Sequence, residues 1–196
     1  MAYIDYSEYC DGYDKRYSSD MSIREDEAVR ALLQKYIAPA SHVLDVGSGT
    51  GYLLDNVYMN TEKYFGVDAN PKMIEKAKAK YPEAVFFCGD ASKMCGYKGI
   101  FDIAASLFSV PYIGKGSVDF ISNALKETGY FIVVYYNKPY LNKDSVYYKR
   151  KLRYQLTVAP NVERFIRYAN RRMICVEEGD LTPDKTYKYA VFMKGE

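Results

Sequence analysis

Three glycines at alternating positions follow a short apolar run in the first third of the chain. Residues 43–46 precede Gly47, Gly49 and Gly51, and apolar residues resume at helical spacing from Tyr52. Glycine adopts a positive φ without steric cost and lets a ligand lie against the backbone. The stretch therefore predicts a strand, a ligand-binding turn and a helix, placed where open α/β sheets bind ligands.

The spacing of these glycines separates two classes of cofactor. Dinucleotide-binding turns have the pattern G-x-G-x-x-G, whereas this chain has G-x-G-x-G and Tyr52 in the place of the third dinucleotide glycine. Asp45 precedes the first glycine by two residues, and a carboxylate beside the turn favours a cationic ligand over a pyrophosphate. S-adenosylmethionine (SAM) carries a sulfonium and an ammonium group and no phosphate, so it fits this pattern.

Strand and helix patterns alternate along the rest of the chain. They predict an α/β fold with a Rossmann-like doubly wound sheet, mostly parallel with an antiparallel C-terminal strand, and helices on both faces. The predicted strands after the first are 63–68, 84–89, 101–107, 130–136, 172–176 and 187–193. The predicted helices are one after the capping box Ser22-x-x-Glu25, one over 52–57, one capped by Asn70, one over 117–126 ended by Gly129, and one opening at 160–161.

The glycine stretch strongly resembles motif I of the class I SAM-dependent methyltransferases, and the resemblance extends over nearly all of residues 22–195. The motifs are closest to those of bacterial small-molecule N- and O-methyltransferases. The resemblance implies SAM as the cofactor and S-adenosylhomocysteine as its product. In such proteins the turn cradles the methionine part of the cofactor, and Asp68 would hold both ribose hydroxyls.

The resemblance also implies a full set of ligand-binding residues. Asp90 would accept from the adenine amino group, and Ser106 with Leu107 would lie beside the methionine ammonium and the reacting methyl. The implied cofactor-binding residues are Tyr13, Tyr17, Asp45, Gly47, Ser48, Gly49, Gly51, Asp68, Ala69, Asp90, Ala91, Ser106 and Leu107, and the implied substrate residues are Phe108, Tyr112 and Tyr136.

The sequence limits the chemical class of the methyl acceptor but does not identify the molecule. The stretch 106–112 departs from the N/D-P-P-Y/F motif of methyltransferases that act on DNA and protein, and Asn137-Lys138-Pro139-Tyr140 resembles that motif only after the wrong strand. No residue presents itself as a catalytic base, which favours an amine nitrogen or an acidic hydroxyl of a small molecule. Two alternatives stay open: an RNA, DNA or protein methyltransferase, for which the basic, tyrosine-rich stretch 147–154 is the signal, and a SAM-binding protein without catalysis.

Length and composition set the remaining expectations. The 196 residues suit a single domain over 1–196, with an N-terminal arm or lid over 1–21 and a substrate-side insertion over 138–160. The absence of a long apolar run predicts a cytoplasmic protein without a membrane partner. A small-molecule substrate is the predicted partner, in preference to a nucleic acid. Four cysteines without C-x-x-C spacing and one histidine predict no metal site and reduced thiols mostly in the core. The oligomeric state and the identity of the acceptor are not fixed by the sequence.

Overall fold

The computed structural model describes residues 20–137 and 162–195, with the main chain alone for residues 20–24. Within these residues lies one seven-stranded sheet with the strand order β3-β2-β1-β4-β5-β7-β6. The strands are β1 Val43–Val46, β2 Tyr64–Asp68, β3 Val85–Cys88, β4 Phe101–Leu107, β5 Leu125–Tyr136, β6 Met173–Asp180 and β7 Tyr187–Lys194.

The first five strands are parallel to one another, and β7 inserts between β5 and β6 antiparallel to both. The predicted mostly parallel sheet with an antiparallel C-terminal strand is confirmed. All four residues of β1 are buried, as in a strand covered on both faces. The strand order reverses between β1 and β4, so the crevice in which such sheets bind ligands opens at the carboxyl ends of these two strands.

Helices cover both faces of the sheet. They are α1 Asp20–Tyr36, α2 Tyr52–Asn56, α3 Pro71–Lys80, α4 Gly116–Ala124 and α5 over 162–172. On one face α4 and α5 pack Ile121 and Phe165 with Phe131 of β5. On the other face α1 and α2 pack Leu33 and Leu53 into the cluster that contains Ile132, the next residue of β5. Alternate residues of a strand point to opposite faces, which confirms the doubly wound arrangement.

Two predicted helix ends are wrong, while a third is right. The helix α1 already includes Asp20, so Ser22 lies inside it and is not its cap. The side chain of Asn70 does accept a hydrogen bond from the Lys72 amide and caps α3, with Pro71 at the first helical position. Gly129 does not end α4, which stops at Ala124.

The reason lies in the pairing of β5. Leu125 is already in register with Phe101 of β4, and Gly129 lies inside the same strand. An added Cβ at Gly129 would lie 3.1 Å from the Asp102 carbonyl oxygen, so this glycine permits a close approach of two backbones. The sequence pattern could not separate this use of glycine from a helix cap.

The thiols do not follow the expectation of a mostly buried set. Cys88 and Cys95 are exposed and Cys175 is partly buried, all three unpaired, because β3 is an edge strand and residue 95 follows it in a loop. Cys10 lies outside the described residues. Within residues 20–137 and 162–195, no helix is long and apolar enough to cross a membrane.

Candidate cofactor and acceptor site

The turn from Gly47 to Gly51 connects β1 to α2 at the reversal of strand order. Its three glycines have φ values of 79°, 54° and 94°. The amides of Gly47 and Ser48 both donate to the Val67 carbonyl of β2, at 2.7 and 3.0 Å. The turn is therefore held by main-chain hydrogen bonds in a conformation that side chains with a Cβ rarely adopt.

The three glycines differ in what surrounds them. An added Cβ at Gly47 would lie 2.3 Å from the Ser109 Cβ, and one at Gly51 would lie 2.8 Å from the Tyr81 ring. At Gly49 nothing lies within 4 Å of that position. Two glycines thus serve internal packing, and Gly49 borders open space in which a ligand can approach the backbone.

Asp68 joins the turn to the end of β2. Its two carboxylate oxygens accept the Gly49 amide at 2.9 Å and the Asn70 amide at 2.8 Å. Burial raises the pKa of Asp68, and these two amide hydrogen bonds oppose that rise. Each carboxylate oxygen can accept a further hydrogen bond, so the residue can bind a ligand while it holds the turn.

Asp45 lies beneath the turn and not beside its open side. It is 2% exposed, and the Tyr64 hydroxyl donates to its carboxylate at 2.7 Å. Burial raises the pKa of Asp45 to about 7, against the opposing effect of the Tyr64 hydrogen bond. Next to this pair, Ser48 Oγ is buried and has no hydrogen-bond partner of ordinary geometry within the described part of the chain. Asp45 and Ser48 are thus two polar groups buried beneath and within the cofactor turn.

Asp90 and Ala91 lie at the end of the neighbouring strand β3. One oxygen of Asp90 accepts from the amide and the hydroxyl of Ser92, at 2.9 and 2.7 Å, and caps a short 3-10 turn over 91–93. The Ser92 hydroxyl is the main cause that lowers the pKa of Asp90. An open cleft of about 420 Å³ adjoins this carboxylate, lined in part by Cys88 and Tyr97. The Ala69 carbonyl, just after β2, lies 4.0 Å from the sulfur of Cys88, the last residue of β3.

Ser106 and Leu107 end β4 and are both buried. The hydroxyls of Ser106 and Ser109 lie 2.6 Å apart, and Ser109 donates to the Val46 carbonyl at 2.8 Å. Since Ser109 also fills the space against Gly47, these contacts fix the end of β4 to the cofactor turn. The Ser106 side chain itself is enclosed in this network.

Four aromatic rings, Tyr52, Phe108, Tyr136 and Tyr187, form what we call the aromatic cluster. Phe108 lies edge-on to Tyr52 and to Tyr187, with ring centroids 5.8 and 5.1 Å apart. The Tyr136 and Tyr187 rings are 4.6 Å apart, and their hydroxyls are 3.0 Å apart. Phe108 takes a φ of 59°, which is rare and strained for a side chain of this size.

The aromatic cluster stands at the ligand-binding edge of the sheet. Phe108 directly follows β4, Tyr136 ends β5, and Tyr52 directly follows Gly51 of the cofactor turn. Tyr112 lies in the next turn along the chain, where its amide donates to the Ser109 carbonyl. Two of the three predicted substrate residues, Phe108 and Tyr136, are therefore brought together, with Tyr187 between them.

Helix α1 supplies two carboxylates to the aromatic cluster. The Tyr52 hydroxyl donates to Asp26 at 2.5 Å. Burial raises the pKa of Tyr187 well above its usual range, and Tyr136 and Glu25 raise it further. Sequence reasoning missed these acids and Tyr187, because α1 and β7 are far apart in sequence and neither carries a motif.

Tyr13, Tyr17 and the whole of the predicted insertion over 138–160, which includes the stretch 147–154, lie outside the described residues. Asn137 is described, and its amide group donates to the Lys185 carbonyl at 2.9 Å, which ties the end of β5 to the loop before β7. The arm, the insertion and the two N-terminal tyrosines stay predictions.

The fold and the glycine turn define a Rossmann-like domain of the kind that binds its cofactor after the first strand. Residues 43–129, from β1 into β5, match the protein family described as "Methyltransferase domain". No curated protein matches the chain significantly. The family match, over a little under half of the chain, supports a SAM-dependent methyltransferase with SAM as its cofactor.

Solved structures show the same fold over most of their length. A chain from the complex between the Haloferax volcanii Trm112 methyltransferase activator and the putative methyltransferase is 18% identical, with a TM-score of 0.72 and 100% of both chains covered. A possible histamine N-methyltransferase from Thermotoga maritima is 15% identical, with a TM-score of 0.68 and coverage of 96% of this chain and 98% of that one.

A third structure contains a product of the cofactor. It is the Haemonchus contortus phosphoethanolamine N-methyltransferase 2, in complex with phosphomonomethylethanolamine and S-adenosylhomocysteine. It is 16% identical, with a TM-score of 0.67, and the alignment covers 87% of this chain and 53% of that one. At these sequence identities the similarity shows the fold alone. The ligands and partners in these structures are those of the neighbouring proteins and are not transferred to this chain.

Proposed function

We propose that this chain transfers the methyl group of SAM to a small molecule, at an amine nitrogen or an acidic hydroxyl. The observation that carries the proposal is the aromatic cluster. It adjoins the cofactor turn through Tyr52, and it offers ring faces and hydroxyls on which a small organic molecule can be held. Two similar folds bear the names of enzymes for small amines, which supports the same choice.

The turn and the strand ends suit the cofactor. We assign the methionine part to the open side of Gly49 and to Gly47, Ser48 and Gly51, the ribose hydroxyls to Asp68, and the adenine to Asp90 with Ala69 and Ala91. Bound SAM supplies a methyl group activated by positive sulfur. The buried carboxyl of Asp45, with a pKa of about 7, lies under the turn, and Ser106 and Leu107 close the floor of the site at the end of β4.

The protein's own contribution to the reaction is alignment and exclusion of water. A nucleophile has to lie about 3 Å from the methyl carbon, in line with the bond that breaks. Phe108 is held in its strained conformation between Tyr52 and Tyr187, so the cluster is rigid where the acceptor would lie. No catalytic base is assigned.

The assignment of Asp68 provides the test. Asp68→Ala should weaken SAM binding by about 2 to 3 kcal/mol, since hydrogen bonds to a charged group contribute on this scale. Isothermal calorimetry measures the change. Asp119→Ala is the control, because this carboxylate on α4 pairs with Arg172 at 3.1 Å and not with the cofactor turn. Unchanged SAM affinity in Asp68→Ala, or saturable binding of NAD at micromolar concentration, would contradict the assignment.

A macromolecular acceptor is the competing proposal. If the stretch 147–154 served a polyanion, binding of RNA or DNA should weaken steeply with salt in proportion to the phosphates neutralised. We expect no such binding at physiological salt. Tight binding in a filter-binding titration, with a salt dependence that corresponds to several released ions, would favour a nucleic acid as the methyl acceptor over a small molecule.

A further inference from the structure

We infer that the Asp45 carboxyl releases its proton when SAM binds at the cofactor turn and takes up a proton again once the methyl group has left. The protein thereby distinguishes SAM from S-adenosylhomocysteine by charge, and its preference for SAM increases with pH. The inference rests on the proposed function, in which SAM lies on the turn. It follows from three buried groups, Asp45, Ser48 and Tyr64, which we call the buried polar cluster.

The Asp45 carboxyl is enclosed without a positive charge beside it. Asp45 is 2% exposed, and its hydrogen bond comes from the Tyr64 hydroxyl at 2.7 Å. In the parts of the chain whose side chains are described, no lysine, arginine or histidine forms an ion pair with it. Ionisation of a buried carboxyl is costly unless a cation compensates it. In the free protein the pKa of Asp45 is therefore about 7.

The groups that face Asp45 do not supply the missing charge. Burial and the Asp45 carboxyl raise the pKa of Tyr64, so this phenol donates a hydrogen bond and stays neutral, and Tyr81 after α3 acts on Tyr64 in the same direction. Besides burial, the negative charge of Asp68 at the end of β2 raises the pKa of Asp45. The residue of β4 in register with Asp45 is Ala105, which is apolar. A positive charge on a ligand is therefore the compensation that this carboxyl can receive.

Ser48 provides a second observation that points to a ligand at the turn. Its Oγ is buried and has no hydrogen-bond partner of ordinary geometry in the described part of the chain. A buried hydroxyl without a partner is costly in a folded protein. Ser48 directly precedes Gly49, where nothing lies within 4 Å of the position of an added Cβ. The turn thus combines an open side with two buried polar groups that the protein leaves poorly compensated.

SAM and its product differ in charge at the sulfur. SAM has a sulfonium, an ammonium and a carboxylate group and is a net cation, whereas S-adenosylhomocysteine has lost the sulfonium charge and is neutral overall. At an effective dielectric constant of about 20, a unit positive charge about 12 Å away favours the ionisation of a carboxyl by about tenfold. SAM therefore favours the ionised form of Asp45 without any direct contact, and the product does not.

The protons and charges balance over the reaction. When SAM binds, the O–H bond of the Asp45 carboxyl breaks, its electron pair stays on oxygen, and the proton passes to water. When the methyl group leaves, the electron pair of the carbon–sulfur bond passes to sulfur, which loses its positive charge. The carboxylate then takes up a proton from water. The product is left without the electrostatic attraction that held the cofactor.

The first experiment measures affinity in the absence of an acceptor. The full chain is titrated in a calorimeter with SAM and with S-adenosylhomocysteine at about pH 5.5 and about pH 7.5. We expect the ratio of SAM affinity to product affinity to rise about fivefold between these pH values, because the free carboxyl titrates near pH 7. The ratio cancels effects of Asp68 on the ribose that both ligands share.

The second experiment counts the released protons. Titrations at about pH 6.5 in phosphate and in imidazole, two buffers with different enthalpies of ionisation, give the number of protons released on binding. We expect about half a proton for SAM and close to none for the product. Asp45→Asn should abolish both the release and the pH dependence of the affinity ratio. Asp119→Asn, the same change at a carboxylate that pairs with Arg172 at 3.1 Å, should alter neither.

Tyr64→Phe tests the same cluster by a gain instead of a loss. The hydrogen bond from Tyr64 opposes the effect of burial and lowers the pKa of Asp45, so its removal should raise that pKa. The number of protons released with SAM at about pH 7.5 should then increase about twofold. A purely structural contribution of Tyr64 would change the affinity for both ligands and would not move the proton release to higher pH.

Three results would overturn the inference. These are an affinity ratio that does not change with pH, equal proton release with SAM and with its product, and proton release that persists in Asp45→Asn. Failure of the proposed function looks different, because these titrations contain no acceptor. A protein that methylates no small molecule would still release a proton on binding SAM.

Discussion

The buried carboxyl of Asp45 should make the stability of the free protein fall as the pH rises. Its pKa in the folded protein is about 7 because burial disfavours the charged form, whereas its ordinary value is 3.8. The folded state therefore binds more protons than the unfolded state between these two values. The sign follows from linkage: the free energy of unfolding decreases with rising pH throughout this window, and Asp45→Asn removes the decrease.

The magnitude can be worked out from the same two values. Between about pH 5 and the folded pKa of about 7 the full linkage slope applies, at about 1.4 kcal/mol per pKa unit. Relative to the wild-type protein, the free energy of unfolding of Asp45→Asn should therefore increase by about 2 to 3 kcal/mol from about pH 5 to about pH 8. The comparison between two pH values cancels the constant cost of an asparagine amide beside Tyr64.

Urea unfolding of both proteins without SAM, followed by circular dichroism at the two pH values, measures this difference. Asp184→Asn is the control. Hydrogen bonds from the Thr182 hydroxyl and from Thr186 lower the pKa of Asp184. The stability from Asp184 is present above its unfolded pKa and lost only in acid, so its effect should not change between about pH 5 and pH 8. A constant difference for Asp45→Asn over the same range would refute the reasoning.

Two further expectations concern the cofactor turn and the docking of α1. Gly47→Ala should destabilise the domain by about 2 kcal/mol or more, because its Cβ would overlap Ser109. Gly49→Ala should destabilise it by only about 1 kcal/mol, because of the positive φ, and should still weaken SAM binding. Equal unfolding midpoints for the two variants would contradict this expectation. Glu177→Gln should lower the free energy of unfolding by about 1 kcal/mol at neutral pH, because Lys35, Tyr36 and Tyr189 donate to this carboxylate and lower its pKa to about 2. This figure is reduced for solvent screening, since the Glu177 side chain is 28% exposed. The stability that Glu177 provides is present above its unfolded pKa and lost as the pH falls toward about 2, so the variant should differ less from wild type near pH 3, and an equal difference at both pH values would count against the ion pair.

Much of the fold was predictable because its signals are local. The residues of β4 were predicted with both ends correct, and Asn70 with Pro71 predicted the start of α3 from capping chemistry alone. Buried parallel strands read as apolar runs, and their alternation with helices allows few topologies. The class of cofactor was likewise predictable from the glycine spacing, since the required backbone conformation is carried by the residues themselves.

Other features depended on contacts between distant segments. A glycine near the end of a helix pattern looks like a cap, and only the approach of the Asp102 carbonyl shows that Gly129 is a strand residue. Asp45 reads as a carboxylate beside the ligand, yet Tyr64, 19 residues away, encloses it. Solvation and neighbours decide the charge of an acid, and neither is visible in the sequence around it.

The aromatic cluster shows the same division between local signals and tertiary contacts. The sequence by itself determined the order of strands and helices, the glycine turn and the type of cofactor, because each follows from short-range conformational preference and period. Only the tertiary structure decided which rings meet at the edge of the sheet and which acids of α1 reach them. Tyr52, Phe108, Tyr136 and Tyr187 come from four elements, and no local rule relates them. Packing of non-adjacent elements therefore sets the shape and charge of this edge of the sheet, and only the folded chain shows it.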